Sequence, residues 1–296
     1  MNTSGDTEVA AHASGLSREV SVIVCVKDCE GLMRDCLTAL RDNNPAEIIV
    51  VDGLSRDGTA KIAADAGAKV LSDNGRGLAY ARLVGVLGAG KPNVLMIGPD
   101  NILPPNFVSE FLRLGRSSGL DVVGAQTRVL NPLTFSDRGL DYRWRLLMGA
   151  AGPRDMVGTP YLAMNEVLLE TNYDERASVA DDTDLFERLR AKGRTCGVVP
   201  LTVYDANGMS LQAAWKKFKW YGAADAFYYR KYAPGWTLKR KARSWTHPLR
   251  QTANYVARAV QDGEFQAAAW LLLMMAARYV GWLETARRIR GRPDAV

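Results

Sequence analysis

Val94-Leu-Met-Ile-Gly-Pro-Asp-Asn-Ile-Leu-Pro-Pro105 is an apolar run that stops at a loop holding one carboxylate, Asp100, among prolines. Its four leading apolar residues predict a buried parallel strand, and Gly98-Pro99 ends it. In an open α/β sheet, ligands bind just beyond the carboxyl ends of the strands, so an Asp there is a candidate ligand contact. Asp100-Asn101 equally suits a turn ahead of a helix that starts near Pro104-Pro105.

The flanking sequence decides the fold around this run. Upstream, Ser21-Val-Ile-Val-Cys-Val26 is β-rich, and Glu30 to Arg41 carries Leu32, Met33, Cys36, Leu37 and Leu40 at helical spacing. A second strand, Glu47-Ile-Ile-Val-Val51, leads into the turn Asp52-Gly-Leu-Ser-Arg-Asp-Gly58. Thr59 to Ala66 predicts a short helix stopped by Gly67, Lys69-Val-Leu-Ser72 a third strand, and Leu78 to Leu87 a further helix. Strands and helices alternating at this spacing imply right-handed βαβ units and a Rossmann-like parallel sheet covered on both faces.

Downstream, Phe107 to Leu114 reads as helix and Leu120 to Val129 as strand. Between Asp137 and Thr171 the pattern supports only a helix at Tyr142 to Leu147, with loops at Gly149, Gly152 and Gly158. Ala180 to Gly193 is a helix with Leu185, Phe186 and Leu189 on its apolar face and Gly193 as its stop. Thr195 to Tyr204 closes the series with a strand.

The net charge of +6 on 296 residues is unevenly spread. Residues 211–296 hold 16 Lys/Arg against 5 Asp/Glu, which leaves the first 210 residues with a surplus of 5 negative charges. In this basic third, Trp215-Lys-Lys-Phe-Lys-Trp-Tyr221 and Phe227-Tyr-Tyr-Arg-Lys-Tyr232 interleave aromatics with cations, as interfacial segments do. The alternative is a helix that packs its aromatics on the body; no nucleic-acid docking motif is present. Ala267 to Ala277 is apolar throughout but too short to span a bilayer, which suits a buried or interfacial helix. Arg287-Arg288-Ile-Arg290 could meet anionic headgroups.

Cys25, Cys29, Cys36 and Cys196 form no CxxC pair and read as reduced packing residues. His12 and His247 are the only histidines, which excludes a His-based triad or a multi-His zinc site and leaves acid–base chemistry to carboxylates, Lys, Tyr or Cys. Residues 1–18 lack a charged stretch followed by an apolar core, so they read as a disordered tail and not as a signal peptide.

Three acidic features fall at the expected ligand edge: Asp52 after the second strand, Asp100 after the fourth, and Asp181-Asp182-Thr-Asp184 at the start of a helix. Asp at a helix start complements the macrodipole and caps free N–H groups, which accounts for one or two of the last three. The third adds repulsion and points to a site.

Together these stretches resemble the inverting family-two glycosyltransferases of the GT-A fold, over roughly Val20 to Gly222. Ile48-Ile-Val-Val-Asp-Gly-Leu-Ser-Arg-Asp-Gly-Thr59 is the most specific match, similar to the family's Val-Asp-Asp-Gly-Ser-Thr-Asp-Gly-Thr turn, with Asp52 in a nucleoside-contacting place. Asp28 and Glu30 stand in the family's base-holding loop, and Asn74-Gly-Arg-Gly-Leu-Ala-Tyr-Ala-Arg82 is similar to its Gly-rich entry to the next helix. The resemblance thus implies donor-nucleotide contacts from Asp28, Glu30, Asp52, Arg76, Arg82 and Asp100. Gly98-Pro99-Asp100 occupies the place of the Asp-x-Asp metal motif, with its first Asp missing.

The resemblance further implies Asp181-Asp182 as the family's acidic pair, with Asp182 as catalytic base and Asp181 beside it. Asp205 stands where many members place a metal-binding His, so the implied metal set is Asp100 and Asp205, holding Mn or Mg. Asp184, Trp215 and Tyr221 are implied on the acceptor side, the last two within a helix similar to the family's basic helix ending in Tyr-Gly. The expectation is an α/β, GT-A (Rossmann-like), mostly parallel central sheet with helices on both faces, followed by a basic helical C-terminal region. Its divisions are a tail at 1–18, a catalytic domain at 19–208 and a basic region at 209–296. The implied activity is a metal-dependent inverting transfer from a nucleotide-diphosphate sugar to a lipid-linked, saccharide or small-molecule acceptor, at an anionic cytoplasmic membrane surface, with a homodimer left open. A catalytically silent nucleotide-sugar-binding or scaffold protein is the alternative.

Overall fold

A computed structural model describes residues 15–175, 180–206 and 208–290. Most of the expected tail lies outside the described residues.

The elements run β1 (Val20–Val26), α1 (Glu30–Asp42), β2 (Glu47–Asp52), α2 (Thr59–Asp65), β3 (Lys69–Ser72), α3 (Leu78–Gly88) and β4 (Asn93–Ile97). Then come β5 (Asn101–Ile102), α4 (Phe107–Ser118), β6 (Val122–Val129), α5 (Phe135–Met148), β7 (Gly152–Arg154), β8 (Tyr161–Met164) and α6 (Asn165–Thr171). The chain ends with α7 (Asp181–Ala191), β9 (Cys196–Asp205), α8 (Leu211–Tyr232), α9 (Leu238–Trp245), α10 (His247–Gln261) and α11 (Phe265–Arg290).

One sheet takes the order β3-β2-β1-β4-β8-β6-β9-β5, with β7 alongside β9. Strands β3, β2, β1 and β4 are parallel, as are β6 and β9. Alternate residues of β1 face opposite cores, which is why its sequence is a continuous apolar run. Val22 and Val24 pack with α1, α2 and α4, while Ile23 packs with α3, α6 and α7.

The structure adds what the periodicity between 137 and 171 did not carry. The helix expected at Tyr142 to Leu147 runs over Phe135–Met148, begun by a Thr134/Asp137 capping box. Tyr161–Met164 is a central strand, antiparallel to both β4 and β6. It passes directly into α6 at Asn165, so no single period runs through the stretch.

The basic region is helical, but its first helix does not end at Tyr221-Gly222. Helix α8 runs on to Tyr232, and Gly222 marks its crossing with α11. A Cβ on Gly222 would overlap the Arg278 carbonyl, and one on Gly281 would overlap the Lys219 carbonyl, so both backbones meet directly. The apolar run in α11 is spent on this packing: Ala267, Trp270, Met274 and Ala277 are buried, in a cluster shared with Val129, Leu140, Tyr142, Ala214 and Phe218. No described helix is long and apolar enough to cross a membrane.

Candidate functional site

Strands β1, β2 and β4 end at one edge, and the loops beyond them are tied together by side chains acting on backbone. Asp28, at a left-handed φ of 51°, accepts from the Arg56 amide at 2.8 Å, and Glu30 accepts from the Gly58 amide at 2.9 Å. These two carboxylates therefore hold the β2–α2 turn against the β1–α1 loop. Asp52 keeps one of its oxygens uncommitted. Its Oδ2 accepts from the Ser55 amide at 3.1 Å, whereas its Oδ1 is buried with no hydrogen-bond partner among the described residues. A buried carboxylate oxygen without a donor costs free energy, which a ligand hydroxyl or N–H would recover.

The Gly-rich loop after β3 is organised by Asp73, a residue that sequence reasoning passed over. Buried at the strand end, it accepts from the Gly75 amide at 2.7 Å and the Gly77 amide at 3.1 Å. Two glycine amides behind an Asp are the available signal, since an Asp that folds back on its own following backbone is a turn-former. Arg76 stands on the exposed side, paired with Glu175 and stacked 3.6 Å over the Tyr80 ring.

Helix α3 then carries Arg82 into the interior, where it joins the donor edge to α7. Its guanidinium lies 2.9 Å from Asp181 Oδ2 and also contacts Asp182 Oδ1. Burial works against the Arg82 charge, but Asp181 and the Tyr161 and Tyr173 hydroxyls outweigh it and raise its pKa. Burial raises the Asp181 pKa, and Arg82 pulls it back. The side chain of Asp181 is 2% exposed and that of Asp182 30%, so only Asp182 presents an oxygen to an incoming molecule. Asp184 serves the fold, with its buried carboxylate accepting from Arg188, Lys231 and Tyr232.

Asp100 and Asp205 meet because Asn101 of β5 pairs with Asp205 of β9, and the Ala206 amide donates to the Asp100 carbonyl at 2.8 Å. A Cβ on Gly98 would meet the movable end of the Asp100 side chain, at Oδ1, so a larger residue there would turn the Asp100 carboxylate aside. Lys217 of α8, unforeseen in the sequence, points its ammonium at Asp100 Oδ2 at 3.5 Å. Nearby Tyr221, then Asp100 and Asp205, raise the Lys217 pKa and keep it charged. Asp205 accepts from Asn101 Nδ2 and Trp144 Nε1, both at 2.8 Å. Burial, then the Asp100 charge, pushes it up to about 7. Trp215 packs in the cluster that joins α8 to α11; Tyr221 packs there too while remaining close to Lys217.

A divalent ion fits this corner through Asp100. One Asp100 oxygen has no protein partner among the described residues, and a hard cation needs few carboxylates when a diphosphate and waters complete its shell. Each Asp205 oxygen already accepts one hydrogen bond, from Asn101 or from Trp144. No group of three or more His, Cys, Asp or Glu side chains that could hold a metal occurs among the described residues.

Several solved structures share this architecture. A mannosyltransferase from Pyrobaculum calidifontis, solved with GDP-Man and Mn2+, is similar at TM-score 0.61 and 15% identity over 98% of each chain. S. aureus TarS 1–349, solved with UDP-GlcNAc, is similar at 0.52 and 14% identity, over 92% of each chain. Glucosyl-3-phosphoglycerate synthase from Mycobacterium tuberculosis, solved with Mn2+, UDP and glucosyl-3-phosphoglycerate, is similar at 0.51 and 19% identity, over 74% of this chain and 81% of that one. At such identities the likeness speaks for the fold. No curated protein sequence matches the chain. Residues 21–161, from β1 to the start of β8, match the family model for glycosyl transferase family 2. Those residues carry Asp52, Arg82 and Asp100, and through them the chain is similar to glycosyl transferase family 2.

Proposed function

We propose that the protein transfers a sugar from a nucleotide-diphosphate sugar to an acceptor hydroxyl with inversion at the anomeric carbon. The observation that carries this reading is the Arg82 bridge, which sets a half-exposed carboxylate, Asp182, beside the strand ends where Asp52 waits for a donor. The nucleoside is held by Asp52, walled by the turn that Asp28 and Glu30 secure. Arg76 and the Gly-rich loop face the diphosphate. Lys217 brings positive charge to the Asp100 corner, where charge leaves with the diphosphate. Asp100 would hold a Mn or Mg ion, which would supply further charge neutralisation to that leaving group.

Asp182 takes the proton of the acceptor hydroxyl as its oxygen attacks the anomeric carbon. Asp181 and Arg82 orient it, because a buried ion pair fixes the first turn of α7. D182N leaves nucleotide binding by calorimetry unchanged and lowers transfer by about 10²- to 10⁴-fold, the usual worth of a general base. Full transfer in that variant removes the assignment, and retention of anomeric configuration in the product, read by NMR, removes inversion. The Lys217 ammonium at Asp100 and the glycine at 98 favour a second reading, a silent nucleotide-sugar binder. Tight binding with no turnover toward any acceptor or water would select it.

A further inference from the structure

A cavity of about 700 Å³ lies between one face of α7 and helices α8, α9, α10 and α11. Its α7 wall is Thr183, Phe186, Glu187 and Arg190, positions that share one helix face. Thr183 directly follows Asp182, whose carboxylate projects from the adjoining helix face, so the cavity and the proposed base flank the same turn of α7.

The opposite wall is aromatic. Tyr228, Tyr229, Trp236 and Trp282 form a run of rings, with centroid separations of 5.8 Å for Tyr228–Trp236, 5.9 Å for Tyr229–Trp236 and 6.1 Å for Tyr229–Trp282. Such a wall offers flat apolar faces to the C–H side of a sugar ring, with polar groups at its margin.

The charge is one-sided. Five cations line the cavity against three carboxylates, Asp155, Glu187 and Asp225. Asp225 is taken by Arg278, at 2.5 and 2.8 Å. Glu187 is shared by the Tyr228 hydroxyl at 3.0 Å, Arg240 at 3.2 Å, and Arg190. Lys239 and Arg243 have no carboxylate partner among the described residues, and both line the cavity from exposed positions on α9. Two uncommitted cations beside an aromatic wall fit a phosphate monoester, which carries about −1.5 to −2 charges near neutrality.

Resting on the reading of Asp182 as base, we infer that this cavity binds the acceptor and that the acceptor is a phosphorylated sugar. The ring stacks on the Trp236 wall, and its phosphate sits between Lys239 and Arg243. A hydroxyl at the other end of the sugar then reaches toward Asp182. A sugar bearing a phosphate anion occurs in a free sugar phosphate, a monoester, and in a polyprenyl-phosphate sugar, a diester with a single negative charge. Leu238, which opens α9, is 83% exposed and Leu249 of α10 is 47% exposed, and both would suit the lipid form.

The test is a titration followed by the fluorescence of Trp236, Trp245 and Trp282, all in the cavity wall. The probes are hexose 1- and 6-phosphates, the same hexoses as methyl glycosides, inorganic phosphate, and a polyprenyl-phosphate hexose in detergent micelles. Phosphorylated sugars are expected to bind at least about tenfold more tightly than methyl glycosides or phosphate alone, and K239Q/R243Q abolishes that preference. Saturation by the soluble compounds identifies a free acceptor; saturation by the polyprenyl compound alone identifies a lipid-linked one. Equal binding of neutral sugars, binding of phosphate alone as tight as of its sugar esters, no binding of any probe, or an unchanged preference in the double variant overturns the inference. Calorimetry of UDP and GDP on the same proteins separates the two readings. Nucleotide binding is expected to be unchanged in K239Q/R243Q; wild-type protein that binds sugar phosphates but no nucleotide would sink the transferase reading and leave the cavity assignment standing.

Discussion

At the scale of single residues, the site is built from groups whose roles follow from what they do or do not touch. Asp28 and Glu30 spend their carboxylates on turn amides, whereas Asp52 keeps one buried oxygen without a donor. Asp52 is therefore the residue whose substitution reads on nucleotide affinity. D52N keeps the acceptor for the Ser55 amide but removes the charge. Its affinity for the cognate nucleotide is expected to fall about 10- to 100-fold by calorimetry, the worth of one hydrogen bond to an ionised group. Unchanged affinity would show that the orphan oxygen faces no ligand. Asp52, Asp100, Asp181 and Asp182 were legible because each belongs to a local run whose spacing matches a known pattern. Lys217, Trp144 and Asn101 were not, since their relation to Asp100 and Asp205 exists only once α8, α5 and β5 come together.

At the scale of elements, most of the first half was readable. The helix at Glu30–Asp42, the strand at Lys69–Ser72 and the helix at Leu78–Gly88 fall where apolar spacing puts them. Strands β5 and β7 are two and three residues long, below the length at which a period of two can be seen, and β8 runs without a break into α6, which blurs its pattern. The α8–α11 crossing is also invisible in a linear reading, because a glycine inside a helix pattern is ordinarily a weak point. Here Gly222 and Gly281 are demanded by the partner backbone. G222A is expected to lower the melting temperature by several degrees, an overpacking cost of about 1–3 kcal/mol, in thermal unfolding followed by circular dichroism. G31A serves as the control, since nothing lies within 4 Å of a Cβ there. Equal melting of the two variants would mean that the crossing relaxes freely.

At the scale of the whole molecule, the acidic body and the basic C-terminal helices share a core. Val129, Leu140 and Tyr142 of the body are buried with Phe218, Trp270 and Met274 of the helices. The protein is thus expected to unfold in one transition, with near-ultraviolet and far-ultraviolet signals coincident in urea. An early, separate loss of helix signal would show that residues 209–296 form an independent unit. The charge surplus of that third is partly consumed within the fold: Lys217 faces Asp100, Lys231 meets Asp174 and Asp184, and Arg278 is held by Asp225.

The sequence alone determined the βαβ alternation, the acidic strand ends and the family likeness, because these are encoded in local periodicity and in short runs of neighbours. Tertiary structure decided which of two adjacent aspartates is reachable, which cation faces Asp100, and where a cavity opens between α7 and the C-terminal helices. Each of these depends on side chains far apart in the chain, brought into contact by burial that acts on the total apolar surface and carries no record of sequence distance.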